Sequence, residues 1–283
     1  MRRKQTLWKN FWKGWTDMTT ARDIEQNLFE LAPGSYAMEW DNVGLLVGHG
    51  DRSVRRVLLA LDADDATVAE AVEEGYDLLI THHPLIYTPL YHLTGANGPE
   101  RRVEALLRGN VALISMHTNL DAAHGGVNDA LAEALGLSDV EEFLNEDARE
   151  GVPSIGRVGT VEEMAPAVFL EQVCRALDTN GGRHYLCRRV HRVAVGGGGC
   201  ADYLADAYRA GCDTFLTADC KYHNFTLAAD LGINLIDLGH YATEYVVLPK
   251  LKSRLEKAFP EVEFTLSSRE CDVVGVVAPL KKG

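Results

Sequence analysis

Two adjacent histidines, His82 and His83, stand where the apolar run DLLIT at 77–81 gives way to Pro84. Two further pairs share a spacing, His117 with Asp121 in ISMHTNLDAAHGG and His240 with Glu244 in DLGHYATEY, each four residues apart and each just after an apolar run. Neutral imidazoles and carboxylates are the donors that hold zinc, iron, manganese or similar divalent ions, and carboxylate oxygens can bridge two of them. The set is rich enough for two ions. It lacks thiolates, which favours a catalytic centre over a closed structural zinc site. The chemistry it points to is hydrolysis, because two ions about 3.5–4 Å apart lower the pKa of a water and polarise the electrophile it attacks. His117, the counterpart of His240, is then free to donate or accept a proton, a role that suits the titration range of imidazole. Taken singly, each residue has a commoner role: a lone histidine is usually a satisfied core or surface group, and an acid near a helix start is usually a cap. The repeated spacing is what favours the functional reading.

These side chains must be carried by strands and helices. Apolar runs rich in Val, Ile and Leu alternate with helical periods, which predicts an α/β protein with a largely buried sheet. Strands are expected at 57–61 and 77–81 around a helix at 65–74 closed by Gly75, then an apolar run at 111–116 and a helix at 128–135. The order returns at 191–195, 202–210, 213–217 and 233–238. His82 and His83 fall just beyond the carboxyl end of a strand, where open α/β sheets bind ligands. A helix beginning near residue 240 stacks His240 and Glu244 on one face. Sliding the chain by 136 residues lays Val57 on Val193, Gly75 on Gly211 and Thr81 on Thr217, and a slide of 123 lays His117 on His240 and Asp121 on Glu244. The expected organisation is therefore two similar α/β lobes related by internal duplication, with mixed sheets flanked by helices. Residues 19–138 form the first lobe, 139–156 an acidic, turn-rich seam, and 157–283 the second lobe.

A rival motif lies in the second half. Gly196, Gly198 and Ala201 form G-x-G-x-x-A between a strand and a helix, with Asp219 at the end of the next strand, which is close to a dinucleotide fingerprint. The equivalent turn of the first half, LDADDA at 61–66, makes the same step without glycine. A lone fingerprint is a weak signal, and close approach to an anionic group or tight packing accounts for the glycines as well. Gly196, Gly198, Lys221 and His223 are kept as candidate contacts to a substrate phosphate or base. Neither G-x-S-x-G nor a P-loop occurs.

A formal net charge of -13 argues against a general nucleic-acid binder, since phosphate binding needs a positive footprint. The six cysteines include no C-x-x-C pair, so neither a zinc knuckle nor a disulfide framework is expected. No apolar run is long enough to span a bilayer, and a cytoplasmic location is expected. Residues 1–18 interleave basic and aromatic side chains. A helix there would align Trp8, Trp12 and Trp15, and the plainer reading is a loose extension.

WDNVGLLVG at 40–48, DLLITHHPL at 77–85, SMHTNLDAAHGGVND at 115–129, TADCKYHN at 217–224 and LIDLGHYATE at 235–244 together resemble the ordered motifs of the NGG-interacting-factor-like family, commonly called type 2 GTP cyclohydrolase I. The resemblance runs from about Thr19 to the C terminus. It implies a dinuclear centre on His82, His83, Asp121, His240 and Glu244, and a ring-shaped homohexamer with its metal sites facing an internal cavity. It also implies a reaction, opening of the imidazole ring of GTP at C8 with release of formate. Some members carry an inserted domain, for which the short seam leaves no room. Ala218 stands where glycine is common, and the N-terminal extension is unusual. Hydrolysis of another nucleotide or phosphoester, and a ring-shaped binding or regulatory protein with structural metals, are the alternatives. Formate or phosphate release from the metal-loaded protein separates them.

Overall fold

The computed structural model describes residues 18–179 and 181–276, so the reading of 1–18 as a helix or loose extension falls, Met18 apart, outside the described residues. The elements run α1 (Ala21–Leu31), β1 (Gly44–Val47), β2 (Arg56–Ala60), α2 (Asp65–Glu73), β3 (Leu78–Thr81), α3 (Gly98–Gly109), β4 (Ala112–Ser115), α4 (Thr118–Ala122) and α5 (Val127–Ala134). They continue with β5 (Ser138–Glu142), β6 (Arg157–Met164), α6 (Pro166–Ala176), β7 (Arg183–Tyr185), β8 (Val190–Val195), α7 (Leu204–Arg209), β9 (Thr214–Thr217), α8 (Tyr222–Leu231), β10 (Asn234–Asp237), α9 (His240–Tyr245), α10 (Val247–Ala258) and β11 (Glu263–Leu266). The chain packs as two compact units that interleave along the sequence. Among the described residues, one takes 18–30, Asn42–Met116 and Lys252–Arg269, and the other takes Leu31–Asp41, 117–179, 181–251 and 270–276.

The first unit is built on a five-stranded sheet, β1-β4-β3-β2-β11, parallel except for β1. Its inner strands β3 and β4 are buried along their whole length, as a parallel sheet covered on both faces requires. Helix α2 starts where the Asp64 carboxylate accepts the Thr67 N–H at 2.7 Å, and the chain leaves it at Gly75 in the left-handed region, φ +71°. One apolar cluster, including Leu58, Val68, Leu79, Leu106 and Leu113, holds helices to sheet.

The second unit is built on a six-stranded sheet, β5-β6-β8-β9-β10-β7, with β8, β9 and β10 parallel and the rest antiparallel. Strand alternation serves two cores here. Val193, Val195, Leu216 and Ile236 enter one cluster, while Ala194, Phe215 and Leu235 enter the other.

Linear boundaries do not describe these units. The expected seam at 139–156 contributes β5, antiparallel to β6 and exposed at every residue, and its acidic side chains suit a sheet edge. Residues 117–138, expected in the first lobe, belong to the second unit, where Leu131 packs in the same cluster as Val193. Conversely β11 joins the first unit, parallel to β2. The structure does not confirm the duplication read from the two slides, although β3 and β9 occupy overlaid positions. The outer neighbours differ, β11 lying parallel to β2 whereas β6 runs antiparallel to β8. No helix of the described residues is long and apolar enough to cross a membrane, and all six cysteines are free thiols.

Candidate metal centre

In the first unit the chain leaves β3 with the His82 and His83 N–H groups donating to the Ala60 and Leu61 carbonyls at 3.3 and 2.9 Å. This bent exit lets neighbouring side chains face the same way. The two rings lie 4.9 Å apart between centroids, with donor nitrogens within 4.8 Å of each other. His82 is 1% exposed, and its Nδ1 donates to the Met116 carbonyl at 2.7 Å. His83 Nδ1 donates to the Asp62 carboxylate at 3.0 Å.

In the second unit His117 is the N-cap of α4, and its Nδ1 donates to the buried Asp41 carboxylate at 2.8 Å. Asp41 also accepts the Thr118 N–H at 3.0 Å. One turn on, Asp121 is buried, with a carboxylate oxygen within 4.8 Å of one from Glu244. Helix α9 begins at His240 itself, so the four-residue spacing stacks His240 Nε2 at 3.1 Å from Glu244 Oε1. His240 Nδ1 donates to Asp219 at 2.8 Å. Burial first, and then the negative charge of Asp121 and Glu244, pushes the nearby Cys200 thiol well above its ordinary pKa.

A common pattern emerges. Each of the four histidines donates its Nδ1–H to a carbonyl or carboxylate oxygen, and His240 Nε2 in addition faces Glu244 Oε1 at 3.1 Å. Backing of this kind orients imidazoles as metal ligands and raises their basicity. Donor chemistry and orientation both fit divalent ions, and these histidine and acidic clusters could hold a metal.

Sequence reading passed over Asp41 and Asp62 and took Asp219 for part of a dinucleotide fingerprint. A signal was available. Asp62 precedes His83 by 21 residues, and Asp219 precedes His240 by the same 21. Each acid follows one parallel strand and each histidine follows the next, so one strand–helix–strand step sets both separations. The 76 residues between Asp41 and His117 carry no such regularity.

The amides of the glycine turn are engaged within the protein. Gly196 N–H donates to the Leu216 carbonyl, Gly197 N–H to Asn128 Oδ1 at 2.9 Å and Gly198 N–H to Thr243 Oγ1 at 3.0 Å. A Cβ built on Gly198 would stand 2.1 Å from Glu244 Oε1 and 3.1 Å from His240 Nε2. The anionic group that the glycine admits is thus the protein's own carboxylate. Lys221 and His223 are exposed at the start of α8.

Residues 19–272 match the family described as Duf34/NIF3 (NGG1p interacting factor 3). A Clostridium perfringens protein named "GTP cyclohydrolase 1 type 2 homolog" is 31% identical over 254 residues, covering 88% of this chain and 97% of the relative. A Streptomyces coelicolor protein of the same name is 39% identical over 239 residues, covering 81% and 82%. Among solved structures, a Bacillus cereus protein related to NIF3 aligns with a TM-score of 0.85 at 25% identity, covering 92% of this chain and 99% of that one. A Staphylococcus aureus hypothetical protein aligns equally well, TM-score 0.85, at 30% identity over 92% of this chain and all of the other.

Proposed function

The chain belongs to the Duf34/NIF3 family, and on that basis we propose that it is a cytoplasmic, dinuclear metal-dependent hydrolase acting on GTP or a chemically related nucleotide. His82, His83, Asp121, His240 and Glu244 are the proposed ligands of two divalent ions, for which zinc, iron and manganese all suit the donor set. The observation that carries this reading is the shared presentation of the histidines, each with Nδ1 bonded to a carbonyl or carboxylate, an arrangement that orients an imidazole for ligation through its other nitrogen. When bound, such ions supply Lewis acidity, polarising the electrophile and bringing the pKa of water towards neutrality.

The names of the relatives favour GTP as the substrate, and the proposed electrophile is C8 of its guanine ring, opened with formate as the one-carbon product. His117 is the proposed proton carrier. The Asp41 carboxylate accepts from Nδ1 and orients the ring, leaving Nε2 to take a proton and return it. Trp40 meets the His117 ring edge to face at 6.0 Å and restricts its rotation. Lys221 and His223 are proposed phosphate contacts. Gly196 and Gly198, whose amides are engaged, give room to the ligands instead. The assembly is proposed to be a homohexameric ring.

Incubating metal-loaded protein with GTP and with generic phosphodiesters, and assaying formate and phosphate, tests the reaction. Formate from GTP, abolished in a folded His82→Ala variant, is expected. Phosphate without formate would move the substrate to another phosphoester, and absence of both products would leave a metal-binding module and end the hydrolase reading.

A further inference from the structure

Asn128 lies in the first turn of α5 and is 0% exposed, yet it is polar and takes no place among the proposed ligands. Its Nδ2 donates to the Asp121 carbonyl at 2.9 Å, and its Oδ1 accepts the Gly197 N–H at 2.9 Å. A carbonyl only accepts and an amide N–H only donates, so the partners settle the orientation of the side-chain amide. From Gly197 the connection continues by one residue. Gly198 N–H donates to Thr243 Oγ1, and the Gly198 carbonyl accepts from Ala218 N–H at 3.0 Å and Thr217 Oγ1 at 3.2 Å at the end of β9. Thr243, also 0% exposed, in turn donates its hydroxyl to the Gly239 or His240 carbonyl, at 3.0 and 2.9 Å. Gly198 itself is pressed against Glu244 and His240.

A single buried path of hydrogen bonds therefore runs from the backbone of Asp121 on α4, through Asn128 and the glycine turn, to α9 with His240 and Glu244. We propose that Asn128 and Thr243 are positioning residues that set the separation of the Asp121 and Glu244 carboxylates, and through it the affinity and geometry of the metal centre. The proposal rests on the metal reading above. Neither side chain touches the reacting atoms. Their influence follows from restraint: the two helices are short, five and six residues, so their own hydrogen bonds fix the carboxylates poorly. Buried polar groups with every partner satisfied rigidify their surroundings, and losing one member strands the others.

Cobalt(II) is the probe, titrated into the chelator-stripped full-length chain while its visible absorption, which reports coordination geometry, is followed. Asn128→Ala and Asn128→Asp, checked for folding by far-ultraviolet circular dichroism, are expected to bind about 10–100-fold more weakly, with an altered spectrum. Thr243→Val should behave like Asn128→Ala. Thr243→Ser, which keeps the hydroxyl, should restore the affinity and spectrum of the unsubstituted chain. If an Asn128 variant fails to fold, the Thr243 pair decides alone. Unchanged affinity and spectrum in Asn128→Ala and Thr243→Val overturn the positioning role while leaving the metal reading intact. An unsubstituted chain that binds no cobalt overturns both.

Discussion

An imidazole ligates through one nitrogen, and whatever holds the other nitrogen decides how firmly the first is aimed. Asp62 and Asp219 do this for His83 and His240, and both carboxylates are more than half exposed, at 53% and 61%. Their contribution to folding is accordingly small, whereas under the proposed metal ligation they orient two of the ligands. Asp62→Ala and Asp219→Ala should each weaken metal binding by about 10-fold or more, while shifting unfolding by no more than about 0.5 kcal/mol. Calorimetric metal titration beside thermal melting checks the pair of expectations, and equal affinity in the variants would remove these acids from the centre. Gly198 makes the complementary point through space. Its φ of +63° disfavours a side chain, and a Cβ would meet the Glu244 carboxylate. Gly198→Ala should lower the metal content of the purified protein, read by elemental analysis, and a variant with full metal content would show that Glu244 is not a ligand held from that side.

At the level of elements, two buried charged groups tie distant segments to helices. Glu70 on α2 is 1% exposed and accepts hydrogen bonds from Ser267, from the Ser268 N–H and hydroxyl, and from the Arg269 N–H. Burial by itself would raise its pKa, but these donors together outweigh burial and lower it. A carboxylate whose folded pKa is lowered stabilises the fold above the ordinary carboxylate range and loses that contribution as pH falls. Glu70→Gln should therefore melt lower than the unsubstituted chain at neutral pH, with the two melting temperatures converging below about pH 4. A constant gap across the acid range would show that charge at Glu70 is immaterial. Arg157 on β6 is 1% exposed and donates to Asp129 and to the carbonyls of Ala122, Ala123, Ser154 and Gly156. Its replacement by alanine leaves these acceptors stranded and should cost about 3 kcal/mol, measurable by urea denaturation; a loss near zero would mean water replaces the guanidinium.

For the whole molecule, a ligand that binds only the folded chain stabilises it by mass action, so about 2.7 kcal/mol is expected from a divalent ion at 100 times its dissociation constant. Chelation should correspondingly lower the melting temperature, and an unresponsive melt would argue against metal binding by the native state. Light scattering on the eluting protein should return six times the 31.1 kDa chain mass if the proposed ring forms. How much of this was legible beforehand follows physical range. Strands β2, β3 and β9 were readable because buried parallel strands are continuous apolar runs, and the His82–His83, His117–Asp121 and His240–Glu244 pairs stood out as candidates because adjacent or four-apart spacing is a local pattern. The interleaving of the two units, β5 as a sheet edge where a seam was expected, and β11 beside β2 were not readable, because strand partners are chosen by packing summed over residues far apart in sequence. The same limit hid Asp41 behind His117 and left the glycine turn open between approach to an anionic group and tight packing. Residue type and local period, set by neighbours along the chain, determined the chemistry available here. Which oxygen backs each imidazole, and which amide is already engaged, was decided only when distant segments met.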